Sequence, residues 1–207
     1  MQRLLGVWDT RSGNLKWSLP NPEVLCLAAD GGALAGLVSE IFWRKWGDSS
    51  GSSTYRARGK QSVTVWDAVN GQIKWQTDPG EELSLRAVRF DPARPRLLGF
   101  CWRKLASWDL SSGKPLDQRD WAMGLTGLPR EALRLSSDGR TAGVLRSQKN
   151  VEVWNIENMK QLVGLSFPDC YWMHPAFSPD LKLLVGDPSR GAPVILYLNW
   201  TDAGTQR

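Results

Sequence analysis

The sequence predicts an all-β chain assembled from repeated four-stranded units, and three observations lead to it. A tryptophan-centred segment recurs four times, a hairpin-like segment recurs between the copies, and no stretch sustains the apolar periodicity of a helix. The 207 residues suffice for one domain with a substantial core. With 42% hydrophobic and 23% charged residues, the composition fits neither a disordered nor a membrane-spanning chain. Tryptophan is the outlier, with 12 residues against 5 Phe and 3 Tyr. Each fully buried indole removes roughly 150–250 Å² from water, worth about 4–6 kcal/mol as an upper bound, so the excess demands an architectural or ligand-binding reason.

The elements follow in order. LLGVWDTRSGNLKWSL around Trp8 is matched by VTVWDAVNGQIKWQTD around Trp66, KLASWDLSSGKPLDQ around Trp108 and VEVWNIENMKQLVGL around Trp154. A weaker fifth copy, APVILYLNW, puts Tyr197 in the tryptophan position. The anchors are 58, 42, 46 and 43 residues apart. Three of these spacings sit near the period of a four-stranded propeller blade, and the first is lengthened by an insertion. The V-x-V-W alternation is that of a strand, and the turns Ser12-Gly13, Asn70-Gly71 and Ser112-Gly113 lead into a further strand. Between anchors, VLCLAADGGALAGLV, LRAVRFDPARPRLLGF, ALRLSSDGRTAGVL and HPAFSPDLKLLVG each place a turn between two apolar runs. Asp30-Gly31, Asp91-Pro92, Asp138-Gly139 and Pro179-Asp180 supply those turns, so each unit contains a hairpin. The layout begins with a third and a fourth strand (residues 4–9 and 14–19), continues through three complete units, and ends with three strands at 172–177, 182–186 and 194–198.

The alternation of S-x-D-G-(K/R)-x-x-A hairpins with V-x-V-W-D-x-x-x-G resembles the WD-repeat family of β-propellers, across essentially all of residues 1–207. The resemblance implies a ring of four-stranded antiparallel blades, about four of them here, acting as a non-catalytic protein-interaction scaffold through loops on one face. One departure stands out. The Gly-His dipeptide that usually opens a repeat is absent, Leu128 stands where the histidine would be, and His174 lies too close to Phe177 and Ser178 to replace it. The family's hydrogen-bonded His-Asp-Ser/Thr-Trp network is therefore not expected, and packing must carry more of the stability. Two closures remain open. The N-terminal strand completes the last blade of a four-bladed ring, or the chain is the C-terminal part of a larger, truncated propeller, which its start in mid-blade favours. An incomplete ring exposes sheet edges and an apolar face, so self-association is expected.

The insertion IFWRKWGDSSGSSTYRARGKQ reads as a polar, basic loop over residues 44–62. It interleaves Arg44, Lys45, Arg56, Arg58 and Lys60 with Trp43, Trp46 and Tyr55, and the next unit repeats the theme at Trp102, Arg103 and Lys104. In a propeller these second-to-third-strand tips emerge as neighbours on one face. They are the candidate contact residues for a protein partner, and alternatively for phosphate or single-stranded nucleic acid, since aromatics stack on bases while cations pair phosphates. The competing account is a solvated Gly/Ser loop beside Trp43 and Trp102 packed between blades.

No catalytic, metal or cofactor-binding residues are expected. His174 is the sole histidine, the three cysteines Cys26, Cys101 and Cys170 are widely spaced, and no phosphate-binding or zinc motif is present. Trp17 and Trp75, nine residues after their anchors, form D-x-x-x-G-x-x-x-W, similar to the docking motif of quinoprotein propellers. The carboxylate cluster and adjacent cysteines that such an enzyme would use are not visible. The formal charge of +5 is a mild tilt towards acidic partners. No secretory leader or uninterrupted apolar span is seen, so a cytoplasmic protein without membrane contact is expected.

Overall fold

The computed structural model describes residues 4–20, 22–46, 53–80, 83–101, 103–121, 133–146, 149–167, 172–188 and 194–200. Its regular structure there is entirely β, in seventeen strands and five antiparallel sheets. A hairpin of β1 (Leu4–Trp8) and β2 (Leu15–Pro20) comes first. The first blade comprises β3 (Pro22–Leu27), β4 (Ala33–Trp46), β5 (Ser53–Asp67) and β6 (Ile73–Thr77). The second comprises β7 (Leu85–Phe90), β8 (Arg96–Cys101), β9 (Lys104–Asp109) and β10 (Pro115–Asp120). The third contains β11 (Leu133–Leu135), β12 (Thr141–Arg146), β13 (Asn150–Asn155) and β14 (Lys160–Ser166). The fourth has three strands, β15 (Trp172–Phe177), β16 (Leu183–Pro188) and β17 (Val194–Tyr197). The four blades form a β-propeller arrangement, with strands hydrogen-bonded in sequence order within each sheet.

The residue after each anchor closes the turn between the third and fourth strands. Asp9 Oδ1 accepts from the backbone N–H groups of Arg11 and Ser12, Asp67 Oδ1 from Val69 and Asn70, and Asp109 Oδ1 from Ser111 and Ser112. In the third blade Asn155 Oδ1 does the same for Glu157 and Asn158. A short side-chain acceptor here satisfies two amides that the tight turn leaves without ladder partners, which explains Asp or Asn at this place. The inner hairpins of the third and fourth blades use serine. Ser136 Oγ accepts from Thr141 N–H and donates to Asp138, and Ser178 repeats this with Leu183 and Asp180.

Blade stacking forms three successive apolar cores. The first joins Ala35, Leu37, Val63 and Val65 to Leu85, Leu97 and Trp108. The second joins Leu98, Phe100 and Trp121 to Ala142, Val144 and Trp154. The third sets Leu145, Val151 and Val153 against Leu181, Leu184 and Leu198. Trp108 and Trp154 thus reach back to the preceding blade, and Trp66 is also buried. Trp8 differs, being 58% exposed and folded over its own Gly6. Its hairpin has no preceding sheet among the described residues, so Trp8 holds the anchor position without the burial of Trp66, Trp108 and Trp154.

The outer strands add a second contact. The Trp17 indole covers Gly71 and donates to Ala68 O at 3.3 Å, and Trp75 covers Gly113 and donates to Leu110 O at 2.7 Å. Both glycines have positive φ, 74° and 70°, and a Cβ on either would lie 2.7 Å from the indole. Glycine is therefore required there by the backbone and by the approach of the ring. At the next interface Arg119 takes over, its Nη1 donating to Glu157 O at 2.8 Å.

Two register findings correct the sequence reading. Leu196 pairs with Leu184 as Trp154 pairs with Ala142, so Leu196, not Tyr197, holds the anchor position of the last blade. Tyr197 lies one residue on and is 75% exposed, because a shift of one residue turns a side chain to the opposite face. The N-terminal hairpin, moreover, is not hydrogen-bonded to β15–β17 and docks on the first blade through Trp17. Among the described residues it does not complete the fourth blade.

Replacing Trp75 with Ala should lower unfolding stability by about 3–5 kcal/mol, through lost packing and an unsatisfied carbonyl at Leu110. Urea unfolding monitored by circular dichroism checks this, and a loss below about 1 kcal/mol would contradict the docking role. The turn hydroxyls and amides around Asp109 hold its carboxyl near 2, below the usual 3.8. A depressed folded value means that its contribution is present above the unfolded value and is lost as pH falls through about 2. Asp109→Asn should accordingly unfold at lower urea than the parent at pH 7, and the two midpoints should converge near pH 2.

Candidate functional site

The insertion in the first blade is mostly a paired ribbon rather than the loop expected over residues 44–62. β3 accompanies β4 only as far as Val38, and β6 accompanies β5 only from Val63, leaving two strands to run on alone. A register shift between Ser39 and Ile41 marks the departure from the sheet, as bulges do where a strand bends away. The ladder then pairs Ile41 with Arg58, Phe42 with Ala57, Trp43 with Arg56, Arg44 with Tyr55, Lys45 with Thr54 and Trp46 with Ser53. Aromatic and β-branched residues on both arms favour extended pairing, while the turn formers are confined to residues 47–52, outside the described residues. At the ribbon base, Gln61 clamps the next blade. Its Oε1 accepts from Leu85 N–H at 2.9 Å and its Nε2 donates to Leu85 O at 3.3 Å.

The corresponding connection in the second blade is a short turn between β8 and β9. Arg103 is exposed there and Lys104 is half-buried. Backbone contacts hold the turn, with Arg103 O accepting from Trp121 N–H at 2.5 Å and Lys104 O accepting from the buried Cys101 thiol at 3.0 Å. Both this turn and the ribbon join second to third strands, so they leave the same side of the array. The register brings Trp43 opposite Arg56 and Arg44 opposite Tyr55, whereas Trp102, Leu128 and Cys170 lie outside the described residues. Lys60 is exposed at the start of the blade portion of β5.

Sequence reasoning missed a second site. A cavity of about 750 Å³ opens where the inner strands converge, lined by Cys26 and Leu27 of β3, Arg89 and Phe90 of β7, Arg134 and Leu135 of β11, and Pro179 beyond β15. Cys26, Arg89, Arg134 and Ala176 are equivalent, pairing with Ala35, Leu98, Gly143 and Val185 of their second strands. Arg89 donates from Nε and Nη2 to Leu133 O at 3.3 and 3.1 Å, and from Nη1 to Val88 O at 2.8 Å. Burial lowers its pKa, the neighbouring Cys26 sulfur opposes that, and the charge of Arg134 lowers it further. Burial also pushes the Cys26 thiol up to about 11, with Arg89 pulling the other way. The signal was present in V-R-F-D and L-R-L-S, which carry arginine at the same place in two successive hairpins.

No family model matches the chain, and no curated protein matches it. Among solved structures it is similar to the computationally designed Ika4 protein, with 14% identity and a TM-score of 0.53, covering 86% of this chain and 92% of that one. It is also similar to a hydrazine synthase chain of Kuenenia stuttgartiensis, with 16% identity and a TM-score of 0.57, covering 87% of this chain and 48% of that one. At such identities the likeness concerns the fold alone. Among the described residues no helix is long and apolar enough to cross a membrane.

Proposed function

We propose that this propeller is a non-catalytic interaction scaffold of the WD-repeat type, which takes a protein partner through its second-to-third-strand connections. The ribbon is the observation that supports this reading. A two-stranded extension that runs beyond the partner strands β3 and β6 carries Trp43, Trp46, Tyr55, Arg44, Arg56 and Arg58, residue types enriched at binding hot spots, together with Lys45. Arg103 and Lys104 extend the same side, and an acidic segment is the partner chemistry they suit. Free thiols at Cys26 and Cys101 fit a reducing, cytoplasmic setting.

A photoreactive residue at position 44 or 103 should give a discrete protein adduct in the native host, lost when Arg56 and Arg58 become Ser. One at Gln118, on the exposed outer strand of the second blade, should give none. The cross-strand pairing of Trp43 with Arg56 and Arg44 with Tyr55 favours single-stranded nucleic acid as the second reading. Binding to such a strand that weakens with salt by about 0.7 log units per phosphate contact, and is lost in the same Ser variants, would replace the protein reading.

Self-association belongs to the same proposal. Within the described residues β17 pairs only with β16, leaving an edge with Ile195 57% exposed beside Val194 and Tyr197, and β1 pairs only with β2. Such edges template pairing with a second chain. Light scattering should find oligomers that Ile195→Lys shifts towards monomer, and a monodisperse parent monomer would overturn this.

A further inference from the structure

The cavity between the inner strands has a chemistry that blade assembly does not require. Its register-equivalent positions hold Cys26 in the first blade and Ala176 in the fourth, so the fold accepts small side chains there. The middle two blades instead carry arginines, and both line the cavity. Arg89 has a structural duty, tying its blade to Leu133 of the next. Arg134 has none of that kind, since its side chain is exposed and none of its donors is engaged among the described residues. Two guanidinium groups that share one cavity wall repel, and an anion bound there removes that cost while gaining charge-assisted hydrogen bonds.

The remaining wall defines the rest of the ligand. Of the two acids in the lining, Asp91 is buried and paired with Arg96 at 2.7 Å, and Asp30 is exposed at its own turn, accepting from Gly32 N–H at 2.8 Å. Leu27, Phe90, Leu110, Leu135, Pro92 and Pro179 present apolar surface around the arginines. A volume of about 750 Å³ falls in the range of small-molecule sites and is far larger than a bare inorganic anion needs. We propose that this cavity is a binding site for a small organic oxyanion, a carboxylate or phosphate ester on an apolar body, with Arg134 gripping the oxyanion and Arg89 providing the fixed positive charge behind it. The site is distinct from the ribbon and its function does not depend on the scaffold reading.

The test uses the whole chain and a fluorescent sulfonate with an apolar body, 8-anilinonaphthalene-1-sulfonate, as the probe. Saturable binding is expected, with affinity about tenfold weaker in Arg134→Gln and unchanged in Lys160→Gln, which removes the same charge from the outer strand β14. Near-ultraviolet circular dichroism of both variants should match the parent. Benzoate and phenyl phosphate are then added as competitors. Displacement by benzoate alone assigns a carboxylate, by phenyl phosphate alone a phosphate ester, and by both the shared oxyanion chemistry. Displacement by neither, equal binding in Arg134→Gln and the parent, or equal losses in Arg134→Gln and Lys160→Gln would each overturn the proposal.

Discussion

Each blade is a sheet of short strands with two faces to cover, and neither face is stable in water until a neighbouring blade lies on it. Everything else in the molecule depends on that stacking. Large indoles accomplish it from two directions, the anchors Trp108 and Trp154 reaching back from the third strands while Trp17 and Trp75 reach forward from the outer edges. The forward contact combines area with direction, because the ring lies on a glycine turn and its N–H meets a carbonyl of the same turn. It also dictates sequence at a distance, since the positive-φ glycine that lets the chain turn leaves the space the neighbouring ring occupies.

The same constraint explains the uneven ends of the array. Trp8 carries the anchor residue, but among the described residues no other sheet covers it and its indole is 58% exposed. Where the docking tryptophan is missing, between the second and third blades, Arg119 reaches a carbonyl of the next turn and Trp121 packs edge-on to Phe100 and close to Trp154. A guanidinium and a relocated indole thus replace one side chain that does both jobs. These contacts, together with the side-chain caps of the turns, hold the blades.

Two features stand apart from that framework. The ribbon leaves the first blade after the register break beyond Ser39, where β4 and β5 pair with each other alone. At the inner strands, the middle blades hold arginine where the first and fourth hold cysteine and alanine. Arg89 joins the two themes, since the side chain that binds one blade to the next also sets the charge of the cavity.

Local chemistry was legible directly from the amino acids. Asp or Asn after each tryptophan anchor, glycine in the turns and serine before the last two inner hairpins all act within a few residues, so spacing alone determined the strand order, the turns and the number of strands. Three features needed the tertiary structure. Tyr197 occupied the anchor position by alignment, but ladder register, which depends on pairing with β16, gave that place to Leu196. The Gly/Ser-rich insertion read as a loop because composition does not reveal that its two arms pair with each other. Arg89 and Arg134 stand 45 residues apart in the sequence, and only the convergence of the inner strands brings them to one cavity. The tryptophan excess belongs to both levels: its period disclosed the blades, while which indoles are buried was decided by whether a neighbouring sheet was there to cover them.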